Sequence, residues 1–267
     1  MSAVDSASRA APPDAARQLP ESDERSAVPR AEYRERLAEL QGELNRLHRR
    51  MQQAGSSLIV VFEGRDTAGK GGAIRRVVPA FDARCIDIAR IGAPSDEERA
   101  HHYLWRFWRR VPAAGQIAFF DRSWYGRVLV ERVEKLASEE EWSRAYEEIN
   151  DFERQLVEHG AVVMKFWLHI DKAEQKRRFE ERRRVAHKRW KLGEDDLRNR
   201  RNWKHYEAAL REMLARTDSA HAPWTCISAN DKRAARLEVL STLRDRIAER
   251  LGEAARRLEA SEPARSA

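Results

Sequence analysis

From residue 33 to residue 51 the large apolar side chains fall at Tyr33, Leu37, Leu40, Leu44, Leu47 and Met51, four or three apart. That is the spacing of a helix with one buried stripe, and Gly55 would end it. Beyond this point the pattern changes to short apolar runs separated by longer mixed segments. Leu58-Ile-Val-Val-Phe62 is the first, followed by residues 85–91, Ile117-Ala-Phe-Phe120, residues 162–170 and residues 224–228. Short runs rich in β-branched and aromatic residues predict strands. The run at 162–170, interrupted only by Lys165 and His169, reads as a strand covered on both faces. Helices are predicted through about residue 78, over 95–110, 126–136 and 139–158, and from 232 to 258. Ser95 can cap the second of these, with Asp96, Glu97 and Glu98 in its first turn. Strands alternating with helices specify the α/β class: a central parallel sheet with crossover helices on both sides, preceded by an N-terminal amphipathic helix. The stripe of that first helix is expected to pack on the core or on a second subunit. No internal repeat is present.

Composition adds boundaries. A chain of 267 residues, 42% hydrophobic, can bury one substantial core. Residues 30–258 form the expected domain, and residues 1–29 and 259–267, poor in large apolar groups, are expected to be disordered. No apolar run is long enough to span a bilayer and the N-terminus lacks the order of a secretory signal, so no membrane partner and a cytoplasmic location are expected. Cys85 and Cys226 suggest neither a disulfide framework nor a zinc site and read as small buried apolar residues. Net charge is +7, and it is local: residues 175–205 hold thirteen Lys or Arg against five Asp or Glu, a surplus of eight. A basic patch of this kind calls for a polyanion, either nucleic acid or a chain of phosphates. A solvated helix face is the plainer alternative.

The first strand runs into Glu63-Gly-Arg-Asp-Thr-Ala-Gly-Lys-Gly-Gly72, where Gly64 and Gly69-Lys70 have Walker A spacing. Backbone amides of such a loop converge at a helix N-terminus, and Lys70 adds a full charge that reaches a phosphate. Gly64, Arg65, Thr67, Ala68, Gly69, Gly71 and, one turn on, Arg75 are the candidate phosphate or nucleotide contacts. Gly71 stands where a Ser or Thr usually holds magnesium. Asp66, an acid inside an anion-binding loop, makes sense beside a divalent cation and is the nearest replacement. The third strand ends in Asp121, which matches a Walker B element. Ligands of α/β sheets bind beyond the carboxyl ends of the strands, so Asp66 and Asp121 should face each other there and flank magnesium. Arg122 and Arg127 are expected to project into the same crevice, where guanidinium forks suit phosphate oxygens. Trp124 and Tyr125 read as packing residues first and as a stacking surface for a base second. In a phosphotransferase the basic segment, including Arg177, Arg178, Arg182, Arg183, Arg184 and His187-Lys-Arg-Trp-Lys191, is a lid that excludes water, with Gly193 as hinge before Glu194-Asp-Asp196.

Phe62-Glu-Gly-Arg-Asp-Thr-Ala-Gly-Lys-Gly-Gly-Ala-Ile-Arg75, Phe120-Asp-Arg-Ser-Trp-Tyr-Gly-Arg-Val-Leu-Val-Glu-Arg132 and Lys188-Arg-Trp-Lys-Leu192 together make the chain resemble the polyphosphate kinase 2 family, above all the C-terminal module of its polyphosphate:AMP phosphotransferases. The resemblance runs from about residue 33 to about residue 250 and also covers Ile149-Asn-Asp-Phe-Glu153, Lys165-Phe-Trp-Leu168, Ala222-Pro-Trp224 and Ala229-Asn-Asp-Lys-Arg233. It implies a P-loop kinase-like three-layer fold with a helical lid over about 178–200. It implies reversible transfer of a terminal phosphoryl group between inorganic polyphosphate and a nucleotide, with Mg2+ as cofactor. Asp66 and Asp121 would hold the metal, and Asp66 would help orient the acceptor. Lys70, Arg122, Arg178, Arg182 and Lys188 would contact phosphates. The acceptors implied are adenine nucleotides, AMP ahead of ADP because of Tyr103-Leu-Trp-Arg106, with guanine nucleotides left open and a homo-oligomer, dimer or tetramer, as the assembly.

Two rival readings remain at this point. One is an ATP-dependent nucleotide kinase of the same fold. The other is a nucleic-acid-binding module using residues 175–205, with Trp190, Trp203 and Tyr206 as stacking platforms, which leaves Asp66 without a role.

Overall fold

A computed structural model describes residues 19–20, 27–185 and 194–261. The expectations for Lys188 and the rest of 186–193, for residues 1–18 and 21–26, and for residues 262–267 fall outside these.

Helix α1 (Arg30–Gln53) leads into β1 (Leu58–Gly64) and α2 (Lys70–Val77). Strand β2 (Ile86–Arg90) is followed by two short helices, α3 (Asp96–Arg99) and α4 (Trp105–Trp108), and then by β3 (Ile117–Asp121). The segment after β3 holds a 3-10 turn at Trp124–Arg127, α5 (Val130–Val133) and α6 (Glu139–Glu158). Strand β4 (Val162–His169), helices α7 (Lys172–Arg184), α8 (Glu194–Arg201) and α9 (Trp203–Thr217), strand β5 (Trp224–Ser228) and α10 (Lys232–Ser261) complete the order. The five strands pair in parallel in the order β2-β3-β1-β4-β5.

Alternation along the strands separates two apolar clusters. Leu58, Val60, Phe62, Phe119 and Phe166 pack with Leu44 of α1, Ile74 of α2 and Leu240 and Leu243 of α10. Ile59, Val61, Phe120 and Trp167 face the other way, against Tyr146, Ile149 and Phe152 of α6 and Leu210 of α9. The result is three layers, helix, sheet and helix, as the alternation of predicted elements required. The stripe of α1 is buried within the chain itself, at Tyr33, Leu40, Leu44 and Met51, so no second subunit is needed to cover it.

Several local expectations change. The single helix over 95–110 is two pieces. Ser95 and Glu98 close a capping box that starts α3, yet the Leu104 N–H turns to His102 Nδ1 at 3.4 Å and leaves the helical ladder. Six of the eight residues from His101 to Trp108 are aromatic or His, types with weak helix propensity whose rings pack on their neighbours here, as in the His101–Trp105 stack at 4.1 Å. The helix expected over 126–136 is a 3-10 turn followed by one short α-helical segment. Leu19, within the stretch expected to be disordered, packs on the second cluster, and the Val28 carbonyl accepts from Arg233 at 2.7 Å. Helix α10 runs to Ser261, past the expected end at 258. Neither cysteine forms a disulfide, and both are half-buried, not buried.

Lys165, the polar interruption of β4, is 1% exposed and donates to Glu153 Oε2 (2.7 Å), Tyr125 Oη (2.8 Å) and the Thr217 carbonyl (2.8 Å). Glu153, fully buried on α6, also accepts from Trp124 Nε1 (3.0 Å) and Tyr125 Oη (2.7 Å). The pair therefore ties α6 and β4 to the turn that follows β3. Breaking such a pair strands one charge in the core, which costs about 3–5 kcal/mol. Urea unfolding is expected to register a loss of that size in Lys165→Met or Glu153→Gln alone and a smaller loss in the double variant. A single-variant loss below about 1 kcal/mol, the range of exposed pairs, would contradict the assigned role.

Candidate active site

Strand β1 turns at Gly64 because nothing larger fits. A Cβ there, at φ +148°, would lie 2.5 Å from the Leu168 carbonyl of β4. The loop then passes over the strand ends to Gly69, which at φ +113° starts α2. Lys70, the first residue of α2, folds back so that Nζ donates to the carbonyls of Gly64 (2.5 Å) and Arg65 (3.5 Å). Burial lowers its pKa, Arg122 adds to the effect, and the carboxylates of Asp66, Asp121 and Glu63 oppose it.

Asp121 stands where β3 ends beside β1. Phe62 pairs with Asp121 in the register, and the Arg122 N–H donates to the Phe62 carbonyl at 3.1 Å. Strand alternation gives Asp121 the same side of the sheet as Phe119, the side covered by α2. A Cβ on Gly71 would sit 3.6 Å from Asp121 Oδ2, so the place usually filled by a hydroxyl-bearing side chain adjoins this carboxylate. Glu63, one residue after Phe62 and on the opposite face, is 5% exposed and accepts from Ser123 N–H (2.8 Å) and Oγ (2.9 Å). Burial pushes its carboxyl pKa up, against the pull of Lys70 and those hydrogen bonds.

Arg122, at φ +67°, and Thr67, at φ +70°, are non-glycine residues in the left-handed region. Such strain persists only where surrounding contacts fix it, and it gathers at functional sites. Arg122 Nη2 donates to Asp66 Oδ1 at 3.1 Å, and Asn199 of α8 donates to Asp66 Oδ2 at 2.7 Å.

Two crevices meet at this pair, and Asp66 and Arg122 line both. The larger, 810 Å³, runs over Thr67, Ala68, Gly69, Lys70 and Gly71, with Arg75, Arg90, Asp121 and Arg182 on its walls. The narrower, 90 Å³, is walled by Gly64, Arg65, Leu129, Val130, Trp167, Asn199 and Tyr206 among others. The loop residues expected to cradle phosphate, together with Arg75, Arg122 and Arg182, are therefore brought to one place.

Three expected cations are not. Arg178 is 2% exposed and its guanidinium is used on backbone carbonyls of the loop and of residues 229–230, so it faces away from the crevice. Arg127 pairs with Glu131 at 3.0 Å and lies over the Tyr103 ring at 4.5 Å, and it lines neither crevice. Arg65 does line the narrow crevice, but its guanidinium covers the Trp203 ring at 3.6 Å and sits 3.7 Å from Glu207. Burial pushes the Arg65 pKa down to about 10 despite Glu207 and Asp66. Glu131, four residues on, takes Arg127, whereas the ring and acid that take Arg65 and the carbonyls that take Arg178 lie far along the chain, where local sequence does not announce them. Trp124 and Tyr125 are buried and packed, as their plainer reading held.

Sequence reasoning passed over Glu63, Gln175 and Asn199, and it saw Tyr206 only as a stacking platform for nucleic acid. Glu63 sits within the loop signature and was legible there. Asn199 has no local signal, since its partner Asp66 is 133 residues away in sequence.

Among the described residues no group of three or more His, Cys, Asp or Glu could hold a metal ion. Two carboxylates do suit magnesium, which takes one or two protein carboxylates and fills its other positions with water and substrate phosphates. The Asp121 carboxylate, which accepts no hydrogen bond among the described residues while its backbone carbonyl accepts from the Ile91 N–H at 3.1 Å, fits that use.

The family model for polyphosphate kinase 2 matches residues 27–255. A polyphosphate:AMP phosphotransferase of Pseudomonas aeruginosa is 54% identical over 215 residues, which is 80% of this chain and 43% of that protein. An ADP-polyphosphate phosphotransferase of Rhizobium meliloti is 41% identical over 217 residues, 81% of this chain and 71% of the relative. The chain thus spans less than half the length of its polyphosphate:AMP relatives. Among solved structures, a putative polyphosphate kinase 2 of Pseudomonas aeruginosa superposes with TM-score 0.82 at 51% identity, covering 85% of this chain and 50% of that one. Polyphosphate kinase 2 of Arthrobacter aurescens superposes with TM-score 0.79 at 37% identity, covering 82% and 79%. A parallel sheet with a phosphate loop after its central strand, matched over most of its length in sequence and in shape, makes this chain a member of the polyphosphate kinase 2 family.

Proposed function

We propose that the chain moves a terminal phosphoryl group reversibly between inorganic polyphosphate and a nucleotide, with AMP the preferred acceptor and ADP the second. The observation that carries this reading is the shared wall: Asp66 and Arg122 border both crevices. The larger crevice, lined by Lys70, Arg75, Arg90, Arg122 and Arg182, suits a chain of phosphates. Leu129, Val130, Trp167 and Tyr206 give the narrower one the apolar walls that a base and ribose require. The Asn199 side chain closes on Asp66 within this crevice, and entry of the acceptor would open that bond.

In the reaction an acceptor phosphate oxygen attacks the terminal phosphorus of the polyphosphate. One P–O bond forms as the bridging P–O bond breaks, and the chain one unit shorter leaves. Because one phosphoanhydride replaces another when ADP or ATP is formed, the step runs in either direction. Lys70 and Arg122 sit where negative charge on the transferring group needs a counterpart, and such charge stabilisation is the main contribution a protein makes to phosphoryl transfer. Asp66 and Asp121 would hold magnesium, and when bound it supplies positive charge to the phosphate oxygens. Asp66, released from Arg122 and Asn199, would also orient the acceptor.

Similarity to polyphosphate:AMP phosphotransferases above 50% supports AMP over ADP, and adenine over guanine nucleotides stays the first choice. A homo-oligomer, dimer or tetramer, is proposed only as what the sequence resemblance implies. Among the described residues no helix is long and apolar enough to cross a membrane, and a cytoplasmic location is proposed because the acceptor nucleotides are found there. The nucleic-acid reading loses two of its three platforms, since the Trp203 ring is covered by Arg65 and Tyr206 lines the narrow crevice, and Trp190 lies outside the described residues.

With magnesium and long-chain polyphosphate, purified protein is expected to convert AMP to ADP faster than ADP to ATP, as initial rates at equal acceptor concentration would read. ATP without polyphosphate should not replace the donor, and efficient AMP phosphorylation by ATP alone would favour the rival kinase. Asp66→Asn and Asp121→Asn are each expected to lower kcat by at least about 10²-fold with little change in melting temperature. Full activity in Asp121→Asn would remove its metal role. Added oligonucleotide should neither bind tightly nor compete with polyphosphate.

A further inference from the structure

Three consecutive carbonyls of the phosphate loop are taken by one helix. Gln175 Nε2 of α7 donates to the Asp66 carbonyl at 3.3 Å, and Arg178 Nη1, one turn later, donates to those of Thr67 (2.8 Å) and Ala68 (3.1 Å). Both side chains are 2% exposed. The rest of the Arg178 guanidinium is equally engaged: Nη2 donates to the carbonyls of Ala229 (2.5 Å) and Asn230 (3.0 Å), and Nε to Glu174 (2.5 Å). A buried guanidinium ringed by neutral carbonyls and one carboxylate is anchoring backbone, not waiting for an anion.

In a planar trans peptide the carbonyl and the next residue's N–H point in opposite directions. Fixing the Asp66 and Ala68 carbonyls on α7 therefore aims the N–H groups of Thr67 and Gly69 the other way, toward the crevice that Thr67 and Gly69 line. The intervening Ala68 N–H is used within the loop, on the Arg65 carbonyl at 3.0 Å. The N–H groups of Thr67, Gly69, Lys70 and Gly71 have no acceptor among the described residues. The left-handed conformation of Thr67, at φ +70°, lies at the centre of the segment that α7 holds.

We propose that Gln175 and Arg178 are positioning residues that mould the anion site: by holding carbonyls on one side of the loop they keep its amides turned to the phosphate. The inference rests on the reading that this loop binds phosphate, and it gives Arg178 and Gln175, the latter also bordering the narrower crevice, a part in anion binding that runs through the loop backbone.

Gln175→Leu is the cleanest test because it changes no charge. Arg178→Lys is the companion, since it keeps the charge but loses the planar fork. Titration calorimetry with inorganic tripolyphosphate and magnesium is the measurement, with melting temperature as the control for folding. Gln175→Leu is expected to melt close to wild type and Arg178→Lys lower but still folded at the assay temperature, and both are expected to bind tripolyphosphate about ten- to hundredfold more weakly and to keep the wild-type slope of log Kd against log salt. Arg182→Met, from the crevice wall, should instead make that slope shallower. A purely architectural role for the two side chains predicts unchanged tripolyphosphate affinity in the folded variants, and that result overturns the inference while leaving the proposed function intact. A shallower slope in Gln175→Leu would also overturn it. Failure of the wild type to bind tripolyphosphate would overturn both together.

Discussion

Parallel pairing of β1 with β3 sets Phe62 level with Asp121, and the site is assembled from that register. The first strand ends at Gly64, which pairs with Leu168 of β4 so closely that a side chain there would meet the Leu168 carbonyl. The third strand ends at the same level with a carboxylate. A slip of one residue would reverse every side chain on β3 and carry Asp121 to the face where Glu63 and Ser123 meet. Large apolar residues on both faces of both strands oppose such a slip, since Phe119 and Phe120 occupy different clusters. Core packing thereby determines the separation of two carboxylates that stand outside the core.

Charge is the second constraint on this place. Lys70, Arg75, Arg90, Arg122 and Arg182 surround one crevice, and a cluster of like charges is stable only with counter-charge. In the protein as described, Asp66 answers Arg122, and the Lys70 ammonium turns to the loop's own carbonyls. Polyanion binding would replace those internal partners with phosphate oxygens. Arg65, Arg127 and Arg178 belong to neighbouring stretches of the same sequence yet serve packing, each fixed by a ring, an acid or a set of carbonyls. The division follows burial: the cations turned into the fold brace the loop and the helices around it, and those at the crevice walls are the ones a polyanion could reach.

The sequence made the sheet, the loop and both aspartates legible because each depends on local pattern: an apolar run, a glycine spacing, an acid at a strand end. The helix at 139–158 was legible for the same reason, and Ser138 with Glu141 closes a capping box at its start. What could not be read were polar groups whose partners are remote. Gln175, Arg178 and Phe179 form the buried side of α7, but two of the three are polar and meet carbonyls 51 to 111 residues away. Arg178 and Arg182, four residues apart in one basic run, therefore look equivalent in sequence and differ in role. Lys165 appeared only as an interruption of an apolar strand, because its acid partner belongs to the preceding helix. The break between α3 and α4 was hidden by a cap and a charge pattern that favour helix, against rings that find better packing outside it.

The central claim is that Asp66 and Asp121 serve one cation at the junction of the two crevices. A crystal structure of the wild-type chain with magnesium, a nucleotide and polyphosphate tests it most directly. The account predicts one octahedral ion touching both carboxylates, directly at about 2.0–2.1 Å or through a single water, and touching phosphate oxygens on its remaining sides. An ion bound away from both aspartates, with their carboxylates turned apart, would contradict it.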